Sequence, residues 1–236
     1  MAERAERREQ VRTRSLRTGL RILLLALMIV PGLIDAVSFI ALGRVFTANM
    51  TGNVVLLAFA VAGVEELSIL RSATALTAFV VGAVVGGRIA NAMRSGPPNR
   101  WIAVAFGVET LLLLAATSAA GAVGYESLAA ATGHYAMIVL CGLAMGVRNA
   151  TIRIVGVPDL TTTALTMEIT SLVAQSSLGG GRNPRWLRQS GAIFAVFVGA
   201  VVGVWLLKHS LVAPLALSAV ITALSALAVF YLRPAK

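Results

Sequence analysis

The sequence predicts an all-α integral membrane protein with about six transmembrane helices, two re-entrant or broken helices and two inverted repeats. Three observations predict this fold class: long apolar windows, an internal repeat, and an uneven distribution of arginine between the connecting segments. A bilayer crossing needs about 20 apolar residues, and none of the windows here alternates polar with apolar residues as a barrel strand does. The windows are Ile22–Leu42, Ala73–Ile89, Ile102–Val123, Leu128–Val147, Ala192–Leu207 and Leu211–Leu232.

The charge balance favours a membrane protein over a nucleic-acid-binding one. Only 13% of the residues are charged, about half the share of a soluble domain, although the net charge is +10. The positive charges lie between apolar windows and at the chain ends, and seven arginines fall within the first 21 residues. We therefore expect a basic cytoplasmic arm over residues 1–20 and a single membrane domain over residues 21–236.

An internal repeat divides the membrane domain into residues 21–123 and residues 126–232. The run Gly32–Ala36 resembles Gly146–Ala150, and Val81–Gly86 recurs identically as Val198–Gly203. The polar stretch around Thr47 has its counterpart around Thr162 at nearly the same offset. Three matches in the same order indicate two halves of common design, each with a long span, a polar interruption, a short apolar piece and two further spans.

Arginine counts decide between two topologies for the short apolar pieces. If they cross fully, eight spans result, with seven positive charges outside and only four in the inside loops. If they are re-entrant, six crossings result, with both termini cytoplasmic, eight arginines inside and three positive charges outside. The eight inside are Arg88, Arg94, Arg100, Arg148, Arg153, Arg182, Arg185 and Arg188. The positive-inside rule favours re-entrant pieces, and an odd number of crossings per half makes the halves inverted.

The polar interruptions carry the candidate binding residues. Asn and Thr side chains in both stretches can cap helices, and the free N–H groups at a helix start attract anions. We expect the two stretches to meet in a site for a small anion or polar solute; capping without a ligand is the alternative. The predicted binding residues are Asp35, Phe46, Thr47, Asn49, Thr51, Asn53, Asn149, Thr161, Thr162, Thr163 and Thr166.

Three carboxyl groups within or beside the apolar windows are candidates for proton coupling, because an ionisable group inside a bilayer is costly to keep. They are Asp35, Glu109 and Glu168. Asp35 has a structural alternative near the outer interface, either paired with Arg44 or capping the next turn. Its repeat counterpart Asn149 cannot ionise, so charge chemistry would be asymmetric between the halves. A protonated, hydrogen-bonded carboxyl is the corresponding alternative for Glu109 and Glu168.

The sequence lacks the signatures of an enzyme or a metal protein. It contains no HExxH, no phosphate-binding loop and a single cysteine, Cys141, inside an apolar window. We therefore expect no catalytic residues, no metal and no cofactor.

The motifs resemble the YoaK family of bacterial membrane proteins, a domain family of unknown function. The matching runs are Asp35-Ala36, Gly43, Phe46–Asn53, Gly146–Ala150 and Pro158–Thr162. The chain departs from the family pattern at Thr166-Met167, where the family reads Thr-Gly. The resemblance implies about six spans and no established substrate.

The expected function is a transporter or channel of the bacterial inner membrane for a small polar or anionic solute. The expected partners are the lipid bilayer and this solute, and the small chain is expected to form a homodimer. A non-transporting scaffold or stress-related accessory protein, acting through its basic arm, is the alternative.

Overall fold

A computed structural model describes residues 25–122, 128–156 and 165–231 of the chain. These residues form eight α-helices and one short 3₁₀ helix, and no strand occurs among them. The all-α fold class is thus confirmed. The helices are α1 (Ile29–Ala41), α2 (Met50–Val61), α3 (Ile69–Ala92), α4 (Pro98–Ala122), α5 (Leu128–Val155), α6 (Leu165–Ala174), α7 (Trp186–Leu207) and α8 (Val212–Tyr231), with the 3₁₀ helix at Ser177–Gly179.

Five of these helices, α3, α4, α5, α7 and α8, are long and apolar enough to cross a membrane. The first predicted span is represented by the shorter helix Leu25–Ala41, which includes α1. Helix α2 has 12 residues and α6 has 10. At 1.5 Å per residue they are roughly 18 Å and 15 Å long, well short of a hydrocarbon core of about 30 Å. Both short pieces therefore have the length of broken helices and not of full spans.

Glycines let two pairs of helices pack backbone against backbone. Helix α1 lies on α7, where a Cβ added to Gly32 would overlap the carbonyl oxygen of Val196. Helix α5 lies on α3 in the same way, since a Cβ on Gly146 would overlap the carbonyl oxygen of Phe79. The reciprocal contacts are Gly199 on Ile29 and Gly82 on Leu143. Each half of the chain thus packs its first helix on the third helix of the other half, with contacts at positions that the predicted repeat makes equivalent.

The sequence in which residues of two packed helices meet shows whether the helices are parallel or antiparallel. Helices α1 and α7 are parallel, because Leu25 lies beside Gly191 and Ala36 lies beside Gly203. Helices α3 and α5 are also parallel, because Ala78 meets Gly142 and Gly86 meets Ala150.

Helices α4 and α8 run antiparallel. The amide of Asn99, at the start of α4, contacts the carbonyl of Phe230 at the end of α8, and Glu109 meets Thr222 near the middle. Gly121, at the end of α4, lies closest to Val212 at the start of α8. The main hydrophobic core forms where α1, α4, α5 and α8 meet, around Val30, Leu113, Met137 and Leu215.

Candidate functional site

Asn53 shapes the polar loop between α1 and α2. Its side chain is fully buried, and its Oδ1 accepts a hydrogen bond from the backbone N–H of Phe46 at 2.9 Å. Its Nδ2 donates to the carbonyl oxygen of the same residue. The side chain of Asn49 caps α2 by accepting from the N–H of Gly52 at 3.2 Å. Asn53 therefore stabilises the conformation of the loop, whereas Asn49 caps the N-terminus of α2.

Asp35 ties this loop back to α1. Its Oδ1 accepts from the backbone N–H groups of Thr47 at 3.0 Å and Ala48 at 2.8 Å. Arg44 forms an ion pair with Glu66 at the surface instead. Of the two structural roles considered for Asp35, the structure thus places it as a cap of the following loop and not as a partner of Arg44.

A cavity of about 550 Å³ lies next to these groups. It is lined by Pro31 and Asp35 from α1, by Phe46, Ala48 and Asn49 from the loop, by Thr51, Gly52, Val55 and Leu56 from α2, by Leu165 and Thr166 from α6, and by Val196 from α7. Val196 is the eleventh of the 22 residues of α7, so the cavity reaches the middle of a membrane-spanning helix. Polar groups and the N-terminal turns of two short helices line it together with apolar side chains.

The structure brings together part of the predicted residue set. Asp35, Phe46, Asn49, Thr51 and Thr166 line the cavity. Thr47 and Asn53 are fully buried beside it and support the loop.

The remaining predicted residues lie elsewhere. Asn149 sits in α5, where its side chain donates to the carbonyl oxygen of Met145 in its own helix at 2.8 Å. Glu168 is buried in the first turn of α6. Thr161, Thr162 and Thr163 lie outside the described residues.

A second polar cluster lies in the helix core. Arg148 and Glu109 are both fully buried and form an ion pair, with Nε of Arg148 at 2.7 Å from Oε1 of Glu109. The guanidinium also donates to the hydroxyl of Thr222 at 3.0 Å and to the carbonyl oxygen of Leu27 at 2.5 Å. The cluster joins α4, α5 and α8 to the turn of helix that precedes α1.

The placement of Arg148 in a cytoplasmic loop is wrong. Helix α5 continues to Val155, so Arg148 lies well inside it, and Glu109 supplies the negative charge that allows a guanidinium to be buried there. The signal was present in the sequence, because Glu109 in the middle of an apolar window required a partner. The nearest apolar window ends at Val147, one residue before Arg148, so apolarity alone places the arginine in the following loop.

Apolar helices of membrane-spanning length, packed around a buried ion pair and beside a cavity with both polar and apolar lining, define a multi-pass α-helical membrane protein that associates with a lipid bilayer. The chain belongs to the family described as "Protein of unknown function (DUF1275)", whose model matches residues 23–228.

Among curated proteins, the chain is 26% identical over 155 residues to the UPF0700 transmembrane protein YoaK of Bacillus subtilis (strain 168). The match covers 66% of this chain and 66% of that relative, which is just under two thirds of its length. The YoaK-like resemblance is therefore confirmed. No solved structure matches the chain.

Proposed function

We propose that the protein is a transporter or channel for a small polar or anionic solute, with the cavity beside Asp35 as its central site. One observation carries the proposal: the polar stretches of both halves contribute to a single cavity at mid-span depth, through Thr51 of α2 and Thr166 of α6. The N-terminal turns of these helices offer N–H groups to an anionic or polar group. The solute would pass without chemical conversion, so no enzyme activity is proposed.

Asp35 is the proton-coupling candidate that lines the cavity, whereas Glu109 is already held by Arg148. An ionised Asp35 would oppose an anionic solute at short range, and a protonated one would not. Taking up a proton together with an anion keeps the cavity electrically balanced. We therefore assign proton coupling first to Asp35, with Glu109 and Glu168 as the further candidates.

Transport is tested on purified protein in proteoliposomes with an inward proton gradient. The vesicles are incubated with a uniformly ¹³C-labelled bacterial small-molecule extract, and the internalised solutes are identified by mass spectrometry. We expect at least one solute to accumulate severalfold over protein-free vesicles, and accumulation to fall about tenfold in Thr51→Ala and Thr166→Ala. Asp35→Asn should remove the dependence on the proton gradient.

The matched control is Val54→Ala, on the same helix as Thr51 but 58% exposed and outside the cavity lining. It should transport like the unmodified protein. Equal solute contents in vesicles with and without protein would overturn the proposal and favour the scaffold alternative, whose basic arm over residues 1–20 lies outside the described part of the chain.

We further propose that the two halves are inverted in the membrane, with both termini in the cytoplasm. If α6 crossed fully, α4 and α8 would run in the same direction, so their antiparallel contacts support a non-crossing α6. With α6 not crossing, the parallel contacts of α1 with α7 support a non-crossing α2 as well. With Arg148 moved into the membrane, seven arginines remain on the inner side against three positive charges outside. The seven are Arg88, Arg94, Arg100, Arg153, Arg182, Arg185 and Arg188. The charge asymmetry therefore still supports this orientation.

Cysteine labelling in intact cells tests the inversion. Single cysteines are placed at Glu66, Ser95, Ser127 and Ser177 in a Cys141→Ser background and treated with a membrane-impermeant maleimide. Glu66→Cys and Ser127→Cys should label, whereas Ser95→Cys and Ser177→Cys should label only after the cells are lysed. Labelling of Ser95→Cys in intact cells, with Glu66→Cys, Ser127→Cys and Ser177→Cys all protected, would refute the inversion and require eight crossings.

The same proposal places the protein in the bacterial inner membrane and includes its assembly as a homodimer. The homodimer rests on the small size of the chain alone. Size-exclusion chromatography with light scattering measures it directly, and a monomeric mass would remove it.

A further inference from the structure

Pro31 leaves one backbone carbonyl of α1 without its helical partner. In an α-helix the carbonyl oxygen of residue 27 accepts from the N–H of residue 31, but proline has no N–H. The helix is interrupted here: Met28 forms a turn between Leu25–Leu27 and α1, and its N–H bonds to Leu25 at 3.0 Å. Leu27 is 1% exposed, so solvent does not replace the missing donor. A carbonyl without a partner in this environment is costly.

Arg148 supplies the missing donor from the other half of the chain. Its Nη1 donates to the carbonyl oxygen of Leu27 at 2.5 Å. The rest of the guanidinium is held in place, with Nε on Glu109 and Nη2 on Thr222. A planar guanidinium can donate in three directions at once from one fixed position, which a lysine ammonium on a flexible stem does less well.

The segment that Arg148 holds is the segment that lines the cavity. Pro31 and Asp35 both face the cavity, and Asp35 lies eight residues after Leu27, roughly 12 Å along the helix. Asp35 in turn holds the loop through Thr47 and Ala48. A displacement at Leu27 would therefore be transmitted through α1 to the polar wall of the cavity.

We infer that Arg148 is a positioning residue for the cavity: it replaces the hydrogen bond that Pro31 removes from α1, and so fixes the part of α1 that presents Asp35. The inference concerns the shape of the cavity on which the proposed function rests. Its test uses no transported solute, so it can fail or succeed separately from the transport proposal.

Pro31→Ala distinguishes this role from simple charge balance in the core. Alanine restores an N–H at residue 31, which can donate to the carbonyl of Leu27 and make Arg148 dispensable there. If Arg148 only neutralises Glu109, the stability lost on replacing Arg148 should not depend on which residue stands at position 31. The two roles therefore predict different coupling between positions 31 and 148, which a double-mutant cycle measures.

The cycle is run on the purified full-length protein in detergent. Arg148→Met is combined with Glu109→Gln, so that no unpaired charge remains, and is compared in Pro31 and Pro31→Ala backgrounds. We call the double substitution Arg148→Met with Glu109→Gln the neutral pair. We expect the neutral pair to lower Tm by roughly 5–10 °C with Pro31 and by less than half as much with Pro31→Ala. Equal losses in both backgrounds would overturn the inference. Arg153→Gln, on the exposed face of the same helix, is the control and should leave Tm unchanged.

Cavity shape gives a second readout. Thr51→Cys in a Cys141→Ser background reports access to the cavity through its rate of reaction with a fluorescent maleimide. The neutral pair should change this rate at least about threefold, and Pro31→Ala should restore it; an unchanged rate would contradict a positioning role. If the neutral pair does not give monodisperse protein, Arg148→Lys is measured in the same two backgrounds. It keeps the positive charge but loses the planar set of guanidinium donors. It too should lower Tm less with Pro31→Ala than with Pro31.

Discussion

Replacing Gly146 by alanine is expected to destabilise the protein by about 3 kcal/mol, at the upper end of the usual cost of overpacking. The added Cβ would overlap the carbonyl oxygen of Phe79 and lie 2.7 Å from the backbone nitrogen of Ala83. Both are backbone atoms of α3, so no side-chain rotation relieves the overlap and the two helices have to separate. Gly32→Ala should cost a similar amount, because its Cβ would meet Val196 and Ala200 of α7 in the same way.

Thermal unfolding of purified protein in one detergent measures this effect. Gly107→Ala is the matched control, since a Cβ at that position in α4 meets no atom within 4 Å. Alanine has the higher helix propensity, so Gly107→Ala should leave Tm unchanged or slightly raised. A loss of Tm at Gly107 as large as that at Gly146 would show that general helix effects, and not the backbone contact, determine the result.

Removing the carboxylate of Glu109 is also expected to lower the free energy of unfolding strongly. Glu109→Gln leaves the guanidinium of Arg148 buried without a counter-charge, and breaking a buried pair in this way costs roughly 3–5 kcal/mol. Adding Arg148→Met should recover part of this loss, because the double variant has no buried charge left and lacks only the donor to the carbonyl oxygen of Leu27. The single variant is thus expected to be less stable than the double one, although it differs from the parent protein by fewer atoms.

Chemical unfolding or thermal melting of the three proteins tests this order. Glu66→Gln is the control, because it breaks an ion pair whose side chains are 52% and 66% exposed. Such surface pairs contribute about 1 kcal/mol or less. If Glu109→Gln is no more destabilising than Glu66→Gln, the carboxyl of Glu109 carries no charge in the folded protein, and the ion pair has to be replaced by a hydrogen bond between the charged guanidinium of Arg148 and a neutral carboxyl.

Hydropathy was sufficient to predict the long apolar helices. Apolar windows predicted α3, α4, α5, α7 and α8 because the requirement to cross a bilayer acts on each window separately. A helix cap from Asn49, Thr51 or Asn53 was also predictable from the local sequence. The structure assigns the cap to Asn49, whose side chain accepts from the N–H of Gly52 three residues further on. Such features depend on residues that are neighbours in the chain.

The partners of the buried polar groups were decided by the tertiary structure. Arg148 contacts Glu109, Thr222 and Leu27, which lie 39, 74 and 121 residues away, and no local pattern encodes these separations. The exchange of helix partners between the halves, with α1 on α7 and α5 on α3, likewise follows from backbone contacts that only the folded chain brings together. The requirement to cross the hydrocarbon core determines which helices are apolar. Charge compensation and close glycine packing, which act only between helices, determine which of them meet.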